Sequence, residues 1–420
     1  MEWLRVKKIE KKGNRINFQH DGSSGITQFM REQMFCEYDE NIEGVSDSIA
    51  VIPFLANVLP FVWIMDAVVE VDEIDKDFFE CLDAVRDGYR GMYPMLSWGG
   101  HLKANYIVDN NNQNVVKGTA AQLFSGGVDA YTTMFRHLDE KPDLITVWGA
   151  DIKLKDIQGW ERVSGHTKKV AEKYNLRARF IRSNFKSFLN TKKLGNIIEK
   201  SGGSWWADFQ HGIGLLGLCA PFSGDYRFLL IASSFSEEER GEYICASDPT
   251  IDNCFQCNGL KVIHDGYEMD RQGKVRLLVE KKNEGSDIDL RVCWESAGGR
   301  NCCRCEKCYR TILEIVSEGG DPNKMGFCWS QRDINCCRTG ILYRDRIPKD
   351  SVLYFQKIQI SMRMKQHDGE LGPEYEWFLD IDFDHINDSF VKRVYNSSAV
   401  RHIRHIPKHF KEFAEFLRGR

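Results

Sequence analysis

Two stretches of the chain carry residues whose types and spacing can do chemistry. One is the run Cys302-x2-Cys305-x2-Cys308, with Cys293 upstream across Gly298-Gly299. Four thiolates on short turns can surround one Zn2+ tetrahedrally, each about 2.3 Å away, and a site closed by four cysteines is structural. The neighbours Arg300, Arg304, Glu306 and Lys307 are too polar for a core of reduced cysteines, and Cys303 is a spare ligand next to Cys302. The other stretch is Ser125-Gly126-Gly127-Val128-Asp129, between an apolar lead-in ending at Phe124 and a helix-compatible run over 130–138. A strand that turns on glycine into a helix directs several backbone N–H groups one way, with the helix dipole behind them. Two glycines let a phosphate approach without a Cβ in the way. Asp129 can cap N–H groups or hold Mg2+. An ordinary strand-to-helix turn that binds nothing has the same spelling, and the turn alone leaves both readings open.

These residues need a scaffold, and the pattern after residue 117 supplies one. Strands are expected at 120–124, 144–148, 178–181 and 228–232, with a possible fifth at 261–263, and helices at 165–174 and 205–218. That alternation implies an α/β fold with a doubly wound parallel sheet. Ligands of such sheets sit beyond the carboxyl ends of the strands. Those ends carry Ser125-Gly126-Gly127, Gly149-Ala150-Asp151, Arg182-Ser183-Asn184 and Ser233-Ser234. The candidate nucleotide-binding set is therefore Ser125, Gly126, Gly127, Val128, Asp129, Gly149, Asp151, Arg182 and Ser233. Lys153 and Lys155 offer further positive charge, and Ser125 and Asp129 are the candidate catalytic groups. The second Ser-Gly-Gly string, at Ser201, follows a helical segment and reads as a C-cap.

Around this core the chain reads as three domains: an α+β domain over 1–115, the nucleotide-type domain over 116–320, and a mostly helical extension over 321–420. The first holds a hairpin turning at Gly13-Asn14, strands at 35–38 and 67–71, and an amphipathic helix at 76–89. Its apolar run 49–65 contains Asn57, Pro53 and Pro60 and falls short of the roughly 18 apolar residues of a membrane span, so it reads as a buried helix. A polar stretch over 109–114 is the expected linker. Near the C-terminus 373–380 and 390–394 look helical. The basic run 401–411 reads as a solvated helix end, with RNA or polyphosphate contact as the alternative.

Composition narrows the function classes. The chain is 42% hydrophobic and 28% charged, a globular balance, and its net charge of −4 argues against a nucleic-acid coat. Fourteen cysteines with no apolar leader point to a reducing, cytoplasmic setting. Cys254, Cys257, Cys328, Cys336 and Cys337 read as unligated thiols, with a second metal site as the alternative. His264, just past a strand, is a candidate base or heterocycle contact, or plain structure. Asp265-Gly266 reads as turn chemistry, and His211 as a core histidine.

Ser125-Gly126-Gly127-Val128-Asp129 resembles the SGGxD(S/T) signature of the PP-loop ATP pyrophosphatases, with Ala130 where that family has Ser or Thr. Together with the late cysteines it is similar to the QueC family of 7-cyano-7-deazaguanine synthases over roughly 118–315. The resemblance implies a Rossmann-like PP-loop fold and zinc on Cys293, Cys302, Cys305 and Cys308. It also implies ATP with Mg2+ and a ligase that adenylates a 7-carboxy-7-deazaguanine-type carboxylate before ammonia or an amine attacks. QueC-like proteins with extra domains also resemble components of bacterial anti-phage systems, in which the terminal extensions would meet protein partners. A PP-loop tRNA-modifying enzyme and a decayed nucleotide-sensing subunit are the rival expectations.

Overall fold

Alternating buried and exposed side chains give Trp3–Lys12 (β1) and Arg15–Gly22 (β2) the period of half-buried strands, and they pair antiparallel across Gly13, which sits at φ +59°. The computed structural model describes residues 1–110, 118–241, 244–293, 295, 298–388 and 392. Phe35–Tyr38 (β3) lies antiparallel to β2. Val68–Asp75 (β4) runs parallel to β1, and His101–Val108 (β5) runs parallel to β4. The later strands are Gly118–Leu123 (β6), Asp143–Trp148 (β7), Ala178–Ser183 (β8), Tyr226–Ala232 (β9), the two-residue Gln256–Cys257 (β10) and Leu260–Asp265 (β11). Among the described residues all of them join one mixed, mostly parallel sheet in the order β10-β11-β9-β6-β7-β8-β3-β2-β1-β4-β5.

Five of these strands carry the site. β8, β7, β6, β9 and β11 are parallel neighbours, which counted along the chain is the order 3-2-1-4-5. That is the order of a doubly wound open sheet, and its direction of growth reverses between β6 and β9. Both faces are covered. Ile145, Val147, Ile181, Leu229, Ile231 and Val262 join one hydrophobic cluster with helices Ile52–Ile64 and His211–Leu218. The alternate residues Leu144 and Leu230 are buried outside that cluster.

Helix Ile52–Ile64 is buried at every position. Its one polar side chain is satisfied: Asn57 Nδ2 donates to Pro53 O at 2.9 Å, and Asn57 Oδ1 accepts from Gln210 Nε2 at 2.8 Å. Among the described residues no helix is long and apolar enough to cross a membrane. By contact the chain divides into Met1–Arg271 with Ala297–Arg300, and Gln272–Ser296 with Asn301–Arg420. The sheet thus runs across the boundary expected near 115, because β3 pairs with β8 and because the Ile52–Ile64 helix needs apolar partners on every side. The second unit is helical where described, with Glu306–Ser317, Gln331–Thr339, Lys349–His367 and a 3-10 stretch at Pro373–Phe378.

Two helices differ from expectation. Ile157–Lys173 starts eight residues before 165, because Asp156 caps it through Gly159 N at 2.9 Å within a stretch too polar to read as helix. The apolar run from Trp205 opens with a π-helical turn, Trp206–Gln210, before His211–Leu218. The second Ser-Gly-Gly string, at Ser201, behaves as a C-cap, with Gly202 at φ +71°. Residues 111–114 of the expected linker, 390–391 and 393–394 of the expected last helix, and all of 401–411 lie outside the described residues.

Asn57→Ala removes the acceptor of Gln210 inside a sealed core, and we expect a loss of about 1–3 kcal/mol in urea unfolding. A variant as stable as the parent would show that this polar pair is dispensable.

Candidate nucleotide turn and metal centre

The turn begins where β6 ends. Gly126 takes φ +77°, and Ser125 Oγ accepts from Gly127 N at 3.3 Å, which closes the bend. Gly127 is extended and precedes helix Val128–Arg136, with no side chain capping the first turn. The first-turn amides of such a helix have no intrahelical partner. The bend lies at the reversal point between β6 and β9. Inside the sheet Gln122 Nε2 donates to Ala130 O at 2.6 Å and so ties the helix start to β6.

Ala130 is buried. Thr133 Oγ1 donates to Asp265 Oδ2 at 2.8 Å, while Thr132 Oγ1 is buried without a hydrogen-bond partner. Asp129 is ion-paired with Arg271, whose Nη1 stands 3.2 Å from Oδ2. That buried guanidinium, four residues after Tyr267, is the cation at the turn that spacing did not single out.

The other predicted positions divide. Gly149 is required by its backbone: it sits at φ +114°, and a Cβ there would lie 1.9 Å from Ser183 O. Asp151 is exposed beyond β7. Arg182 is engaged elsewhere, 3.2 Å from Glu37 Oε2 and over the Trp148 ring at 5.0 Å. Lys186 is a further cation on this edge: its Nζ donates to Ala150 O at 3.1 Å and lies 3.6 Å over the Trp206 ring, and burial holds it below the usual lysine range. Ser233 is buried, and its amide donates to Asp265 O at 2.8 Å.

Asp265 is not turn chemistry. Its carboxylate accepts from Thr133 Oγ1, from Arg136 Nε at 3.2 Å and from His137 Nε2 at 3.0 Å, gathering one side and the end of the Val128–Arg136 helix onto β11. Burial alone would raise it, but His137, Thr133 and Arg136 outweigh burial and hold it below the usual carboxylate range. Its neighbour His264 points to the opposite face, with Nδ1 2.8 Å from Asp252 Oδ2. His211 packs against the Trp206 ring.

The cysteine cluster has metal-site geometry. The Sγ atoms of Cys293, Cys302, Cys305 and Cys308 all lie within 4.8 Å of one another. Cys293 and Cys305 sulfurs are 3.8 Å apart, and Cys302 and Cys308 sulfurs 3.9 Å. Four sulfurs each about 2.3 Å from one centre at tetrahedral angles would be about 3.8 Å apart. Those separations also rule out disulfides among these pairs. Cys302 Sγ accepts from Arg304 N at 3.4 Å and Cys305 N at 3.3 Å, the N–H groups of its own turn. Cys303 occupies the left-handed position of that turn, φ +53°, and lies outside the four-sulfur group. Cys305 precedes helix Glu306–Ser317, which carries Cys308. Asn301, which spacing did not reveal, braces both arms: its Oδ1 accepts from Val292 N at 2.9 Å and Cys293 N at 3.2 Å, and its Nδ2 donates to Leu290 O at 2.7 Å and Gly326 O at 2.8 Å. Four thiols this close cannot all ionise without a cation among them, so the cluster can hold a metal ion. Among the described residues no second such group occurs, so Cys254, Cys257, Cys328, Cys336 and Cys337 form none there.

Because Asp265 has a lowered folded-state pKa, its contribution is present above the unfolded value of about 3.9 and fades as pH falls through the folded value. Asp265→Asn should cost about 3–5 kcal/mol near neutral pH, with the gap to the parent narrowing in urea titrations taken towards about pH 3. A gap independent of pH would mean that the clamp is not ionic. For the cluster, elemental analysis should find about one divalent metal per chain, reduced in Cys305→Ser and after chelation, with a lower melting temperature in both. Full metal content in that variant would sink the assignment. Comparison with family models, with curated proteins and with solved structures found no match for this chain.

Proposed function

We propose that the chain is a PP-loop enzyme of the QueC-like kind, which uses ATP to adenylate a carboxylate and releases pyrophosphate. The observation that carries the reading is the placement of Ser125–Asp129 at the reversal point of a 3-2-1-4-5 sheet, where open α/β sheets take their ligands. The triphosphate would lie on the amides after Gly127, with the helix dipole behind it. Arg271, drawn in by Asp129, would stand beside the α-phosphate as charge develops. Mg2+ would be held through Asp129 and would neutralise phosphate charge. The carboxylate oxygen attacks the α-phosphorus, the bond to the bridging oxygen breaks, and pyrophosphate leaves with that electron pair. The acyl adenylate then passes its acyl group to a nitrogen nucleophile. A 7-carboxy-7-deazaguanine-type acid is the substrate that the resemblance to the QueC family implies, and zinc on Cys293, Cys302, Cys305 and Cys308 would be structural. A place in anti-phage defence, with partners at the flanking regions, belongs to the same reading.

A specific observation favours one rival, a nucleotide-sensing subunit that binds ATP without cleaving it. Ala130 lacks the hydroxyl, and Thr133 spends its own on Asp265. The tRNA-thiolation rival needs a thiolate near the nucleotide. Cys245, which follows β9, is pushed up to about 12, chiefly by burial, and is a poor candidate.

The test is incubation with Mg-ATP and 7-carboxy-7-deazaguanine, reading AMP and pyrophosphate. Asp129→Ala and Gly127→Val should each lower turnover by at least about 10²-fold. Unchanged AMP release in either variant removes the turn from the mechanism. Tight ATP binding with no AMP from the parent supports the sensor instead.

A further inference from the structure

The two ends of the sheet are unlike. One closes on β10, a strand of two residues paired antiparallel to β11. The other ends on β5, eight residues long and parallel to β4 from the Val68–His101 pair to the Asp75–Val108 pair with no shift of register. Natural sheets guard such an edge by shortness, a bulge, proline or an outward charge. β5 is long, regular and free of proline, and the Nζ of its one lysine, Lys103, is drawn 3.3 Å from Glu70 Oε1 on the neighbouring strand. The edge instead displays Tyr106 at 66% and Ile107 at 52% exposure.

The ladder fixes where the remaining main-chain groups point. His101 N donates to Ala67 O at 3.0 Å, so His101, Lys103, Asn105 and Ile107 turn their amides and carbonyls towards β4. Leu102, Ala104, Tyr106 and Val108 turn theirs away from the sheet. Among the described residues nothing bonds the outward groups of Leu102, Ala104 and Tyr106. Val108 O accepts from Asn110 Nδ2 at 3.4 Å and keeps a second lone pair. The same four residues make one apolar row, because alternate side chains share a face. Leu102 is buried in the main hydrophobic cluster, Ala104 packs against that cluster, and Tyr106 continues the row into solvent.

We propose that β5 is a homodimer seam: a second copy of this chain lays its own β5 antiparallel to this one, about a two-fold axis at Asn105. Outward groups must meet outward groups, and the apolar row must stay on one face. An axis at Asn105 satisfies both. Ala104 then meets Tyr106 of the second copy and Leu102 meets Val108, each pair exchanging two N–H···O bonds, and symmetry brings the seam to about eight such bonds. The Tyr106 ring falls opposite a small side chain that leaves it room. On the other face Lys103 meets Ile107, and the exposed His101 meets the exposed Asp109, so no like charges oppose each other. An axis half a residue away, between Ala104 and Asn105, would set Tyr106 against Lys103 and outward groups against inward ones. A foreign strand would use the backbone alone; the two-fold match of side chains is what selects a second copy. The seam would form whether or not the glycine turn cleaves ATP.

Sedimentation of the full chain should give twice the 48.5 kDa of one chain, with a dissociation constant of roughly 1 µM. A monomer at about 100 µM overturns the proposal. Tyr106→Lys, at a position outside the core, should keep the circular dichroism of the parent and raise the dissociation constant at least about tenfold. Asn105→Cys should form a disulfide across the axis under mild oxidation, since residues of a non-hydrogen-bonded antiparallel pair stand about 4.5 Å apart at Cα. Lys103→Cys alone should not crosslink, whereas Lys103→Cys combined with Ile107→Cys should. Mass spectrometry of the joined peptides separates these bonds from any made by the exposed Cys328. A Tyr106→Lys protein as dimeric as the parent, or an Asn105→Cys dimer without that disulfide, assigns assembly to another surface and the proposal falls.

Discussion

A single buried anion orders the part of the sheet that carries the glycine turn. Asp265, the last residue of β11, binds a hydroxyl, a guanidinium and an imidazole from the helix that follows the glycine turn and from its cap. An ionised carboxylate taken out of water is costly unless such partners surround it. Once they do, the helix that carries them cannot slide along the sheet without exposing the charge to apolar surroundings. Gln122 holds the other end of that helix through Ala130 O. The two contacts fix where the first-turn amides open, and so where an anion would have to sit.

The residue beside Asp265 puts the opposite face to use. Strand geometry sends successive side chains to opposite sides, so Asp265 meets the Val128–Arg136 helix while His264 meets Asp252. A one-residue change of register in β11 would swap the clamp and the imidazole and spoil both. The parallel ladder to β9, Ile231 to His264 and Ala232 to Asp265, sets that register. The clamp and the His264–Asp252 pair therefore share one constraint.

Much of this was legible in the sequence, and what was not has a common cause. Strand period, the glycine turn and the cysteine spacing are local patterns, and the corresponding strands, bend and thiol cluster occur where those patterns lie. The Asp265 clamp joins residues 132 positions apart, and the Arg271–Asp129 pair 142. No window of sequence holds both partners, so Asp265-Gly266 read as a turn. Arg182 was legible as a cation at a strand end, yet Glu37 on β3 claims it, and that partner came from a segment assigned to another domain. Asn301 gives no signal of its own, since only the folded arms place four backbone groups around one amide.

The strand β3 explains why the first 110 residues cannot be read as an attachment to a finished core. A doubly wound sheet ends in open edges, and an open edge is a template for unwanted pairing. Here β8 does not end the sheet: β3 covers it antiparallel, and β2, β1, β4 and β5 continue from there. The Ile52–Ile64 helix adds the matching apolar layer, with Gly217 so close that a Cβ would lie 2.2 Å from Ala56 Cβ. Neither part is complete without the other: removing the N-terminal strands would bare the β8 edge, and removing the later strands would bare an all-apolar helix. The first 110 residues are thus bound into the core by the same sheet that carries the glycine turn.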